Sequence, residues 1–166
     1  MGNYSVLIAR KFTETMKTIL VLSIVLTTSQ PVLAYLEEDV QRLLETNSCE
    51  ECNLTEANLR NVDLEHANVS GADLTGTDLR AADLDYANLD GSNLSAADLS
   101  NGQLRNVNLR GAIFRGANLS NVDLAGVDLS GMDLAGIILR NTILVGANLS
   151  DVNLDGAALP YPARSP

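Results

Sequence analysis

Ala57-Asn58-Leu59-Arg60-Asn61 is followed by Val62-Asp63-Leu64-Glu65-His66, and that by Ala67-Asn68-Val69-Ser70-Gly71. The same five-residue phrase runs from Cys52 to Pro160. Its centre is Leu in 20 of 22 units, with Val69 and Phe114 as the exceptions. Two residues before the centre stands something small or apolar: ten Ala, five Val, and Cys52, Thr77, Ser92, Gly102, Met132, Ile137 and Thr142. The residue between is Asn or Asp in 17 units, and Gly or Asn stands two after the centre in 15.

A period of five fits neither a helix nor a flat strand. Within a unit, the small residue and the leucine are two apart, so both point to one side of an extended segment. The Gly or Asn that follows tolerates positive φ, which a sharp turn needs. Each unit therefore reads as a three-residue strand fragment plus a corner. Corners repeated in one sense close a coil, and stacked coils place the leucines in interior columns, as in a solenoid.

The pattern A-(D/N)-L-x-x resembles that of the pentapeptide-repeat proteins, as in Ala72-Asp73-Leu74-Thr75-Gly76, Ala87-Asn88-Leu89-Asp90-Gly91 and Ala117-Asn118-Leu119-Ser120-Asn121. The resemblance implies an all-β solenoid, a right-handed quadrilateral β-helix with four units per coil. The 22 units then make about five and a half coils over residues 49–160, a rod of roughly 26 Å at the usual strand spacing.

Residues 1–34 do not fit the repeat. Lys17 precedes the apolar run Ile19 to Leu26, and Val32-Leu33-Ala34 supplies small residues for cleavage, in the order of a secretory signal peptide. The run is too short to span a bilayer. Met16 begins a signal of conventional size by itself, which makes it an alternative start. Cleavage before Tyr35 leaves a chain with no lysine and a net charge of −12, against −10 for the whole sequence. No stable membrane insertion is expected after cleavage.

Residues 35–48 read as a capping helix for the first coil. Leu36, Val40, Leu43 and Leu44 form one apolar stripe, while Glu37, Glu38 and Asp39 are expected in a first turn that suits the helix dipole. Cys49 and Cys52 follow, both in inward phases of the repeat. They read as a structural disulfide bracketing helix and first coil, with a redox-active pair or a metal-binding pair as the other readings. Residues 161–166 form a short tail.

Chemistry has little to stand on. His66 takes a corner beside Glu65, with no Cys, Ser or second His in phase. The Ser and Thr residues substitute at corners, and the glycines are used for turns, not for a phosphate loop. Stacked carboxylates such as Asp78 with Asp98, or Asp63 with Asp83, repel unless screened or bridged, and two carboxylates fall short of the six to eight oxygens that calcium prefers. Arg60, Arg80, Arg105, Arg110, Arg115 and Arg140 circle an acidic rod and suit pairing with Asp better than nucleic-acid binding. The sequence thus predicts no enzyme, cofactor, metal, nucleic acid or small-molecule substrate.

What remains is an interaction or scaffold surface. The residue before the centre turns apolar at Ile113, Ile138 and Ile143, and Val145 replaces a polar residue after a leucine. Ile138, Ile143 and Val145 fall within one coil around Arg140, an expected patch for a protein partner or for self-association. An exported acidic rod with a helix and a cysteine pair is similar to lumenal or periplasmic members of the family. This makes the thylakoid lumen or periplasm the expected compartment. The alternative is a DNA mimic that occupies a DNA-handling enzyme such as gyrase, as some family members do.

Overall fold

A computed structural model describes residues 31–160, with side chains from residue 37 onward. Of the expected signal peptide, residues 1–30 lie outside the described residues, as does the tail 161–166. The repeat is a β-solenoid. Every bridge is parallel and joins residues twenty apart, from Ser48–Asn68 to Ile138–Ala158, so four units complete each coil. Each bridge is one residue wide; the expected three-residue strands shrink to single rungs because the turns claim the flanking residues.

The backbone accounts for the sequence pattern. In the unit of Leu54, the next unit's Ala57 donates its N–H to Leu54 O at 3.1 Å and closes a turn. The third residue of that turn, Glu56, has φ 56°, as a type II turn requires. All 22 such positions from Glu51 to Gly156 have positive φ. Leu54 N–H reaches Asp73 O one coil on, Asp73 N–H returns to Cys52 O, and Glu56 N–H reaches Thr75 O, at 2.8–2.9 Å. Four of the five N–H groups in a unit are thereby satisfied by backbone.

The fifth belongs to the residue after the leucine, and the Asn or Asp side chain supplies its acceptor. Thr55 N–H donates to Asn53 Oδ1 at 3.2 Å, and Thr75 N–H donates to Asp73 Oδ1 at 3.0 Å. The same bond forms in each of the 17 units that carry Asn or Asp there. A side chain two bonds long fits this local turn. The repeat's polar letter is therefore a backbone requirement.

Leucines and small residues fill the interior, and nearly all from Leu54 to Leu139 are buried. Inward polar side chains are satisfied locally: Thr77 Oγ1 donates to Leu54 O, and Thr142 Oγ1 to Leu119 O, both at 2.7 Å.

The helix α1 spans Pro31–Thr46, four residues earlier than expected. Proline is tolerated in a first turn, where its missing N–H leaves no bond unmade. With this start the expected match to the helix dipole is not met: the first turn holds no acidic residue and the last no basic one. Arg42 pairs with Asp39 instead. Leu43 is fully buried, and Val40 and Leu44 pack against the core. Asp39 Oδ2 accepts the N–H of Asn53 at 2.8 Å, a bond that elsewhere goes to the coil below. α1 thus contributes apolar cover to the first coil and a carboxylate that takes the place of one missing backbone acceptor. No helix among the described residues is long and apolar enough to cross a membrane.

The ladder opens at one place. Bridges Asn108–Asp128 and Ile113–Asp133 are absent from a series otherwise present on those faces, and no backbone bond joins Leu109 to Asp128 or Phe114 to Asp133. Met132 lines the opening and Phe114 is buried in the coil on its other side; they are the bulkiest inward substitutions for Ala or Val and for Leu. Overpacking of this kind pushes backbone apart. The result is an open cleft of about 440 Å³ lined by Val107, Leu109, Arg110, Asp128 and Met132, among others.

Candidate interaction surface

The outer surface is built from the residues on either side of each leucine and from the corners. On one face, Asn68, Asn88 and Asn108 form an amide ladder with steps of 3.0 and 2.8 Å, and Asn68 Nδ2 continues it to Glu50. A corner ladder links Asn101, Asn121 and Asn141 at 3.0–3.1 Å.

One stacked pair of carboxylates, Asp78 and Asp98, is bridged by arginine. Arg80 Nε donates to Asp78 Oδ1 at 2.7 Å and lies 3.9 Å from Asp98, while Arg60 lies 4.0 Å from Asp78. The side-chain bond from Arg80 is the largest influence on Asp78 and holds its carboxyl below the usual range; burial opposes this, and the Arg80 N–H and both arginine charges add to it. Ser130 N–H and hydroxyl lower Asp128 in the same direction.

The remaining arginines divide. Arg105 is held by Asp85 of the coil before. Arg110, Arg115 and Arg140 are exposed and have no acidic partner within 4 Å among the described residues. Charge is divided as well: residues 31–100 carry fifteen Asp or Glu and three Arg, whereas residues 101–160 carry five and four.

The expected docking residues are only partly brought together. Ile143 and Val145, 48% and 77% exposed, lie side by side on the outer surface of one unit. Ile138 is on the adjacent face of the same coil but is half-buried between the rungs of Asn118 and Ala158. Ile113, although 44% exposed, stands apart in a column whose bridged neighbour is Asn93. Sequence reasoning missed Leu149 and Leu159, inward by phase yet 39% and 55% exposed. Among the described residues, no further coil lies over them.

Cys49 and Cys52 are joined, with an S–S distance of 2.00 Å, and both are buried. Cys49 Sγ lies 3.2 Å from the Asp39 carbonyl oxygen, against α1. Asp39, Cys49 and Cys52 form the only cluster of metal-type ligands among the described residues, and the bonded sulfurs are not available to it as thiolates.

A family model described as Pentapeptide repeats matches in eight copies, over residues 48–80, 63–101, 72–111, 103–141 and 123–159. Among curated proteins nothing matches. Among solved structures, the pentapeptide repeat protein Rfr23 from the cyanobacterium Cyanothece 51142 is 30% identical, over 74% of this chain and 98% of its own, with a TM-score of 0.43. HetL, a pentapeptide repeat protein involved in heterocyst differentiation regulation in Nostoc sp. strain PCC 7120, is also 30% identical, over 68% of this chain and 57% of its own, with a TM-score of 0.46. QnrB1, a plasmid-mediated fluoroquinolone resistance protein, is 19% identical over 66% of this chain and 61% of its own, with a TM-score of 0.51, and shares the fold. The chain thus spans less than two thirds of HetL and QnrB1 but nearly all of Rfr23. With its family matches running from residue 48 to 159, and with each letter of the motif serving a backbone bond or a core column, the chain belongs to the pentapeptide-repeat family.

Proposed function

We propose that this chain is an exported, non-enzymatic interaction or scaffold protein. It is read as a right-handed, four-sided rod of about five and a half coils closed at its N-terminal end by α1. Its docking surface for a protein partner, or for a second copy, is the patch of Ile143 and Val145 with Ile138 beside it. One observation carries this reading: two apolar side chains lie exposed together where the repeat places polar ones. Apolar groups clustered within a polar rim mark interfaces more often than scattered ones do.

The compartment is the thylakoid lumen or periplasm, on the strength of the signal-like order of Lys17, the run Ile19 to Leu26 and Val32-Leu33-Ala34. The DNA-mimic alternative fits less well, because a mimic of the duplex needs negative charge along its whole length. Here residues 101–160 carry five acidic and four basic side chains, close to neutral.

The test is the triple change Ile138→Asn, Ile143→Asp, Val145→Ser, all at outward positions. Sedimentation and pull-down from the native compartment should lose a species while the melting temperature holds. Identical profiles for variant and wild type would remove the patch as the docking site. N-terminal sequencing of the exported protein should begin at Tyr35.

A further inference from the structure

His66 and Tyr86 occupy one corner on successive coils, and their rings stack with centroids 5.0 Å apart and planes 22° from parallel. Both have φ 59°, a left-handed conformation that Gly or Asn takes with less strain. The rings do not repay that strain with core contacts. Tyr86 is 51% exposed, whereas Phe114, also on the rod, is buried. The Glu65 carboxylate lies 3.7 Å from His66 Nε2, and both side chains are more than half exposed. Arg105, the neighbouring cation, is already neutralised by Asp85.

We propose that this corner is a receptor for a cationic side chain of a partner polypeptide, an arginine above all. The aliphatic stem of such a residue lies along the exposed edges of the ring stack, and its guanidinium pairs with Glu65. Arginine suits both halves of the site, since its apolar stem covers aromatic edges while its planar head forks onto a carboxylate. The surrounding field has the right sign: residues 31–100 carry fifteen acidic and three basic side chains, which attracts a basic segment and repels anions and nucleic acid. A second copy of this chain would bring a net charge of −10, with its exposed Arg110, Arg115 and Arg140 scattered over three faces, so the occupant is a basic segment of another protein. This site is separate from the Ile143–Val145 patch and does not depend on it.

His66 is the sole histidine of the chain, so its ring protons report on this corner in an NMR titration. The probe is a hexa-arginine amide, with hexa-glutamate as control. The expected result is a saturating shift of the His66 ring signals with hexa-arginine only, weakened at least fivefold by Tyr86→Asn and by Glu65→Gln. Asn is at home in the left-handed corner, so Tyr86→Asn should fold as wild type does. The Ile138, Ile143 and Val145 triple variant should titrate as wild type, which separates this site from the proposed docking patch. Equal affinity for wild type and Tyr86→Asn, shifts spread evenly over all acidic faces, or no response at His66 would each overturn the proposal.

Discussion

Asp85 holds Arg105 of the next coil through both backbone and side chain: its Oδ1 accepts the Arg105 N–H at 2.7 Å and its Oδ2 accepts Nε at 2.8 Å. The reason lies at Gln103. Its side chain is one methylene longer than Asn: Nε2 donates to Asp83 Oδ2 at 3.1 Å, and Oε1 accepts from the Arg105 guanidinium at 3.3 Å in place of the Arg105 backbone N–H. Asp85 supplies the missing acceptor from the coil before, and its hydrogen bond is the chief reason the Arg105 guanidinium is held more firmly protonated. Asp85→Ala should lower the melting temperature by on the order of 5 °C, because it strips charge-assisted bonds from a buried carboxylate position. In a Gln103→Asn background the same change should cost clearly less, since the shorter amide restores the local cap. Equal losses in both backgrounds would show that the cap is not what Asp85 provides.

The opening beside Phe114 and Met132 should appear in amide hydrogen exchange. Leu89 N–H donates to Asn108 O at 2.8 Å, whereas Leu109, its counterpart one coil on, has no such bond. Leu109 should exchange at least tenfold faster than Leu89. Met132→Ala, which puts the commonest residue back at that position, should narrow the difference by letting the coils approach. Equal protection of the two leucines in the wild type would mean that the ladder is closed in solution.

Ala81 interrupts a corner column that otherwise reads Asn61, Asn101, Asn121, Asn141, and it sits at φ 56°. Ala81→Asn should raise stability by about 1 kcal/mol, from easier left-handed geometry and an added rung in the amide ladder. Thermal melting checks this, and Ala81→Val, which is branched at Cβ, should move the midpoint the other way.

Acid should weaken the Asp78–Arg80 contact. The folded carboxyl titrates below its unfolded value of about 3.9, so the contribution is present above that value and is lost as pH falls through the lower, folded one. Asp78→Asn should therefore melt below wild type near neutral pH, with the gap closing as pH falls below the unfolded value and through the lower, folded one. A gap independent of pH would assign the loss to packing.

Freshly isolated protein should contain no free thiol when alkylated and weighed. The loop closed between Cys49 and Cys52 is short, with a sequence separation of 3, so chain entropy limits the benefit to about 2 kcal/mol. Replacing both cysteines with Ala should lower the midpoint modestly and leave the rod folded. Two alkylated thiols in the native protein would overturn the assignment.

The sequence by itself determined the solenoid and its inward columns, because a strict five-residue period buries twenty leucines on one side and turns at every fifth residue; the coil of four units was implied by the resemblance to pentapeptide-repeat proteins and is shown by the twenty-residue register of the bridges. It also marked Ile143 and Val145, since an apolar letter in a polar position is visible without coordinates. What it could not show were interactions twenty residues apart that depend on side-chain length and reach. Asp85 bonding past Gln103, the ring stack of His66 on Tyr86 and the arginine bridge between Asp78 and Asp98 are of this kind. The partial burial of Ile138 and the exposure of Leu149 and Leu159 also followed from neighbours, not from phase: a position is covered only where another coil lies over it. The helix start at Pro31 and the opening at Asn108 and Asp128 were likewise decided in three dimensions, where packing against the adjacent coil outweighs the local pattern.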